Sequence, residues 1–206
     1  MSIKVFALVG LSGSGKSLLS GRLRELGYEV IDCDKVVRDL QQPGTACWND
    51  MKAAFPDVFS GDSFDRRELG RQCYANDEKM KLLNSIVHPR VREELIRRFE
   101  TLAEDGKECC FIEAPTLFES GIDSLCDLII LVKADREVSI NRIMKRDGMT
   151  REEAAARLDA QIPVTELEKK VDLIIDNSRE IKDLDIAIDR MCEYLDVWIR
   201  NRGNSK

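Results

Sequence analysis

The sequence predicts an α/β fold, a five-stranded parallel sheet flanked by helices, and three observations carry that reading. The stretch Gly10-Leu11-Ser12-Gly13-Ser14-Gly15-Lys16-Ser17 fits G-x-x-x-x-G-K-[ST], with an apolar run before it and a helical repeat after it. Four further runs, at 29–32, 108–113, 127–132 and 170–176, have the length and apolar character of buried strands. Helical periodicities separate the runs, and strands that alternate with helices form a parallel sheet with helices on both faces. A glycine motif set between a strand and a helix is the phosphate-binding P-loop, so the fold class is that of the P-loop NTPases.

The elements follow in order. Ile3 to Val9 is the first strand. In the loop, glycines permit close approaches that a Cβ blocks, the amides form an anion nest, and the helix N-terminus adds roughly half a positive charge. Lys16 reaches the outer phosphates of a nucleoside triphosphate and the Ser17 hydroxyl ligates Mg²⁺. Leu18, Leu19, Leu23 and Leu26 then repeat at helical spacing until Gly27. The second strand runs into Asp32-Cys33-Asp34. If the chain is still extended there, both carboxylates share a face and look into the crevice beyond the strand ends. A plainer account is that the pair caps the next helix, Lys35 to Gln41, and capping is compatible with catalysis.

From about 34 to 106 the alternation gives way to helices, read as an insertion on the core. Pro43-Gly44 is a turn. A short helix covers Ala46 to Phe55, Ser60-Gly61-Asp62 is a loop, and a helix from Arg66 to Tyr74 has Asp65 as its N-cap. Met80, Leu83, Ile86 and Val87 form a stripe that Val91, Leu95, Phe99 and Leu102 continue. Pro89 is expected to break or restart that helix, with His88 either its N-cap or a substrate contact.

Beyond the insertion, the third strand ends in Glu113, where P-loop proteins place a metal-orienting carboxylate, although an acid at a strand end is also commonplace. After the fourth strand, a helix to Arg146 carries Arg142 and Arg146 on one face. Thr150 to Glu153 is a capping box that opens a polar helix with Arg157 and Gln161 one turn apart. These arginines are either a solvated face or, beside a P-loop, partners of a transferring phosphoryl. A last strand leads through Asn177 to an amphipathic helix whose Ile181, Leu184, Ile188, Met191, Leu195 and Trp198 face the core. The whole chain, 1–206, reads as one domain: a core of about 1–33, 107–140 and 168–206, a helical acceptor-binding insertion of about 34–106, and a lid of about 141–167.

Composition narrows the function. A net charge of −6 gives no reason to expect nucleic acid as a partner. No run approaches the roughly 18 apolar residues of a membrane span, and the first residues lack the order of a signal peptide. Seven cysteines, no C-x-x-C and one histidine speak against a zinc site and for a reducing, cytoplasmic setting. No obligate protein partner is evident. The guanine-reading N-K-x-D of a GTPase is absent, and Ile112-Glu113 is a poor match to the strand end of a motor ATPase. A base near the P-loop, an acceptor region and an arginine-bearing lid are the parts of a small-molecule kinase.

At this level of detail the chain resembles the dephospho-CoA kinase family. The resemblance rests on the P-loop, on Leu26-Gly27, on Ile31-Asp32-Cys33-Asp34, and on Arg38 with Pro43-Gly44. It extends through Asp65-Arg66-Arg67-Glu68-Leu69, the helix ending Leu83-Asn84-Ser85-Ile86-Val87-His88-Pro89, and Pro115-Thr116-Leu117-Phe118-Glu119. Arg142, Arg146 and Asp147, then Arg157 and Gln161, then Ile175-Asp176-Asn177 complete it. Departures are Leu18 for threonine, Cys33 for alanine, Thr116 for leucine and Glu113 for aspartate, the last setting its carboxylate one methylene further out. The resemblance implies transfer of the ATP γ-phosphoryl to the ribose 3′-hydroxyl of dephospho-CoA, with Mg²⁺. It implies Asp34 as base, with Lys16, Arg142 and Arg146 completing the catalytic set. Gly10 to Ser17, Arg142, Arg146 and Asn177 would bind ATP. Asp34, Arg38, Arg66, His88, Pro115 and Leu117 would meet the acceptor. Ser17 and Asp32 would hold the metal, Asp32 through water or by orienting Asp34. The alternatives are a P-loop kinase for a nucleoside monophosphate or a sugar acid, and a non-catalytic nucleotide-binding regulator.

Overall fold

The structure, a computed structural model, describes residues 3–203; the outermost positions of the expected core, 1–2 and 204–206, lie outside it. Strand β1 (Lys4–Val9) is followed by α1 (Lys16–Glu25), β2 (Val30–Asp32), α2 (Cys33–Leu40) and α3 (Ala46–Ala54). A hairpin of β3 (Phe59–Ser60) and β4 (Ser63–Phe64) leads into α4 (Arg66–Tyr74) and the long α5 (Asp77–Glu104). Then come β5 (Cys109–Glu113), β6 (Leu128–Lys133), α6 (Arg136–Asp147), α7 (Arg151–Asp159), α8 (Val164–Glu168), β7 (Leu173–Asp176) and α9 (Ile181–Gly203).

The expected five-stranded parallel sheet is present, in the order β2-β5-β1-β6-β7. Its central strand must be apolar at every position because both faces are covered. Val5, Ala7 and Val9 join Ile112 and the insertion helices in one core cluster. Phe6 and Leu8 join Phe111, Ile130, α1 and α9 in the other. Register sets the site: Leu8 pairs with Glu113, and Glu113 with Asp32, so β1, β5 and β2 end level with one another.

Several expectations are corrected. The chain turns helical at Cys33, so Asp32 and Asp34 do not share a strand face; Asp32 is the N-cap, accepting the Lys35 amide at 3.0 Å. Pro89 neither breaks nor restarts α5, which runs through it. Val87, Val91, Leu95 and Phe99 form one buried stripe against α2, α3 and α4, and that burial outweighs the single hydrogen bond a proline removes. His88 is therefore an interior helical residue, and Asn76 is the cap. Ile181 is exposed rather than facing the core, and of the leucines at helical spacing in α1 and its end, Leu18 and Leu26 are exposed. The hairpin left no strand pattern because each arm is two residues long; Trp48 packs edge-on to Phe59 and Phe64 and holds it.

Leu95 is fully buried where α5 meets the core. Leu95→Ala is expected to cost about 2–5 kcal/mol of unfolding free energy in urea titrations, with the m-value unchanged.

Candidate active site

The loop between β1 and α1 approaches its neighbours more closely than a side chain allows. A Cβ on Gly13 (φ +76°) would lie 2.5 Å from the Ser139 carbonyl oxygen, and one on Gly15 (φ +97°) would collide with the Asn177 side-chain amide. Only glycine has neither the clash nor the cost of positive φ. The loop is then held from behind. The Asn177 side chain donates to the Ser14 carbonyl at 2.8 Å, and its backbone amide donates to the Lys133 carbonyl at 2.7 Å. Arg142 donates to the carbonyls of Gly13 at 3.3 Å, Ser14 at 3.4 Å and Asn177 at 3.0 Å.

In front of the loop is an open cavity of about 820 Å³. Its walls are Gly10 to Gly13, Gly15, Lys16 and Ser17 from the loop, Asp34 from α2, and Glu113 and Pro115 from the end of β5. Arg142, Lys145 and Arg146 of α6, Arg157 of α7 and Gln161 close the remaining side. Lys16 Nζ donates to the Gly10 carbonyl at 2.5 Å. Burial pushes the Lys16 pKa down, against the opposing pull of Glu113 and Asp34. Asp34 has its pKa raised, first by loss of hydration between the crevice walls and then by the negative charge of Asp32, with Arg38 pulling the other way. A raised carboxylate is a stronger base than a free one.

Glu113 faces α1, where it accepts from Ser17 Oγ at 3.2 Å and Ser20 Oγ at 2.8 Å. Arg146 pairs with Asp147 through Nε at 2.7 Å and Nη2 at 2.8 Å, and Arg157 reaches the same carboxylate at 2.8 Å. One acid thus holds two arginines, one from α6 and one from α7, side by side at the cavity wall.

The expected residues therefore separate into groups. Gly10, Leu11, Ser12, Gly13, Gly15, Lys16, Ser17, Asp34, Pro115, Arg142 and Arg146 are brought together, while Ser14 and Asn177 are buried behind the loop. Leu117 is 1% exposed, so it is core beneath the Pro115 turn and offers no surface to a substrate. Asp32 caps α2 and lies 3.7 Å from Arg38, and neither residue lines the cavity. Arg66, stacked 5.0 Å over the Phe64 ring, and His88, its pKa lowered by burial, also lie outside the cavity walls. Sequence reasoning missed Ser20 and gave Gln161 no task. The signal for Ser20 was its i,i+3 spacing from Ser17 on one helix face.

A P-loop, a carboxylate in the same cavity as its lysine, and paired arginines from α6 and α7 are the parts of a small-molecule kinase of the P-loop class. The sequence model described as Dephospho-CoA kinase matches residues 4–183. The chain belongs to the dephospho-CoA kinase family. A dephospho-CoA kinase of Geobacillus kaustophilus is 39% identical over 175 residues, covering 82% of this chain and 87% of the relative. The solved structure of TT1252 from Thermus thermophilus superposes with a TM-score of 0.81 at 32% identity, covering 95% of this chain and 99% of that one. The structure of a dephospho-CoA kinase from Campylobacter jejuni gives 0.70 at 28% identity, covering 93% and 96%.

The raised pKa of Asp34 has a consequence for stability. The fold disfavours the charged form, so ionised Asp34 costs stability above its folded pKa, and that cost disappears as pH falls through it. Asp34→Asn is expected to melt higher than the parent at neutral pH without nucleotide, the gap closing in the acid range where Asp34 is protonated. Thermal melts across pH check this; a lower midpoint for the variant at neutral pH contradicts it.

Proposed function

We propose that this chain transfers the γ-phosphoryl of ATP to the ribose 3′-hydroxyl of dephospho-CoA. Membership of the family supports the reaction. The observation that carries the mechanism is that the P-loop, Asp34 and the lid arginines line one cavity. The loop amides and Lys16 bind the triphosphate, with Lys16 as a compact charge on the outer phosphates. Asp34, with its raised basicity, accepts the proton of the 3′-hydroxyl as that oxygen bonds to phosphorus. The bond from phosphorus to the bridging oxygen breaks, and ADP leaves with the electron pair. Arg146 and Arg157 stabilise charge spread over the phosphoryl oxygens, and closure of α7 keeps water from competing with the hydroxyl.

The donor set fits Mg²⁺. Mg²⁺ takes one or two protein oxygens, waters and substrate phosphates rather than an all-protein cage, and the Ser17 hydroxyl lies beside the Glu113 carboxylate at the cavity wall. Ser17 would hold the ion, with Glu113 ordering that hydroxyl and Asp32 contributing through water. When bound, the ion would neutralise negative charge on the triphosphate. The insertion offers Asp34, and the turn after β5 offers Pro115, to the acceptor at the cavity; Arg38, Arg66 and His88 of the insertion serve the parts of dephospho-CoA that extend beyond it. Seven free thiols are in keeping with a cytoplasmic setting, and among the described residues no helix is long and apolar enough to cross a membrane.

The test offers ATP and Mg²⁺ with a panel of acceptors. Phosphate is expected on dephospho-CoA; turnover on a nucleoside monophosphate with none on dephospho-CoA would refute the assignment. Asp34→Asn is expected to bind both substrates near normally while kcat falls by about two to four orders of magnitude. Because the base must be ionised, the acid limb of kcat/KM is expected above the ordinary carboxylate range, and it should vanish in the residual activity of that variant. Separately, Arg146→Ala is expected to lower kcat more than it weakens dephospho-CoA binding. A wild-type kcat in steady-state assays would return Arg146 to a solvated lid face.

A further inference from the structure

The Ser12 amide is a cavity-lining donor of the P-loop, and it is already engaged: Gln161 Oε1 accepts from it at 2.9 Å. The orientation of the Gln161 amide follows from chemistry, because a backbone N–H only donates and its partner must be the side-chain oxygen. Gln161 stands just past the end of α7, bonded through its own amide to the Leu158 carbonyl at 3.1 Å. The Ser12 contact therefore ties the lid end of α7 to the loop. One turn earlier on the same segment, Arg157 lines the same cavity.

A phosphate oxygen and the Gln161 oxygen are both acceptors, so they cannot share the Ser12 proton without lone pairs facing each other. Lys16, which serves the outer phosphates in this motif, reaches back to Gly10. With Lys16 turned to it, the Gly10–Ser12 end of the loop is where a terminal phosphoryl would lie. When that phosphoryl arrives, the Gln161 oxygen must leave. Rotation about its last torsion replaces the oxygen with the NH₂ group at the same reach, turning a competitor into a donor. Glutamate has no such second face, and alanine has neither.

We infer that Gln161 is a terminal-phosphoryl sensor: it accepts from Ser12 in the nucleotide-free chain, donates to the γ-phosphoryl when ATP is bound, and thereby couples occupancy of the loop to the lid. This rests on the reading of the loop as an ATP site, and it does not depend on the acceptor. The discriminating quantity is ATP against ADP, since ADP lacks the group that is sensed.

The experiment measures ATP and ADP affinity by calorimetry, without acceptor, for the parent, Gln161→Glu and Gln161→Ala, with thermal melts to confirm folding. Gln161→Glu keeps the Ser12 contact, cannot donate and repels the phosphoryl, so ATP affinity is expected to fall about tenfold or more while ADP affinity changes far less. Gln161→Ala is expected to lose ATP-over-ADP preference. Hydrogen exchange of α7 in the nucleotide-free protein is expected to rise in Gln161→Ala and to stay at the parent level in Gln161→Glu. Equal losses for ATP and ADP in both variants, or parent-like preference in both, overturn the inference. A parent chain that binds no ATP overturns the ATP-site reading together with it.

Discussion

The close contact of the glycine loop with the first turn of α6 and with the residue that follows β7 is the constraint on which the site depends. Glycines at 13 and 15 let the loop backbone press against Ser139 and Asn177, where a Cβ has no room. That approach lets Asn177 and Arg142 reach the loop carbonyls from behind. With carbonyls engaged on the far side, the loop presents its amides to the cavity, which is the polarity an anion requires. The contact in turn needs β6 and β7 to end where they do. Their register, Lys133 opposite Asp176, places Asn177 as the first residue past the sheet. The buried strands thus set the geometry of the phosphate cradle through a chain of backbone contacts.

Charge is arranged around the same cradle. The chain as a whole is acidic, yet its cavity wall gathers Lys16, Arg142, Lys145, Arg146 and Arg157. Each of the three that the proposed chemistry uses most has acidic groups near it. Lys16 has Glu113 and Asp34 as its opposing charges, and Arg146 and Arg157 share Asp147. The exposed pairs that Asp147 makes add little stability, so their effect lies in geometry. Asp147 takes Nε and one hydrogen of Nη2 of Arg146, which leaves the Nη1 hydrogens and the second Nη2 hydrogen as the remaining donors. Holding two like charges together before the phosphate arrives reduces the ordering that binding would otherwise require.

Much of this was legible in the sequence, for identifiable reasons. Strands buried on both faces must be apolar throughout, so β1, β5 and β6 announced themselves, and the glycine motif fixed the cradle from three residue types at fixed spacing. Asp34 was legible because strand ends define the crevice of an open α/β sheet. What was hidden depends on contacts between distant segments. Pro89 is a local breaker overruled by the burial of Val87, Val91, Leu95 and Phe99. Leu117 sits in a turn that reads as exposed, and packing against the insertion core buries it. Arg142 was expected to meet phosphate, whereas its partners here are three backbone carbonyls whose positions no side-chain pattern encodes.

Glu113 shows how a departure from the family pattern becomes intelligible in three dimensions. Its extra methylene sets the carboxylate further out than an aspartate would. In the fold, β5 ends beside α1, and Ser17 and Ser20 stand one helical turn apart on the facing side. The longer side chain carries the carboxylate across to both hydroxyls, one oxygen to each. Accepting from Ser17 orients that hydroxyl's proton toward β5 and its lone pairs away from it, toward the cavity. Ser20 is fully buried and fixes the other oxygen, so the carboxylate cannot rotate freely. The helix that carries the loop and the strand that ends in an acid are thus joined by one side chain, which spans from β5 to both hydroxyls of α1.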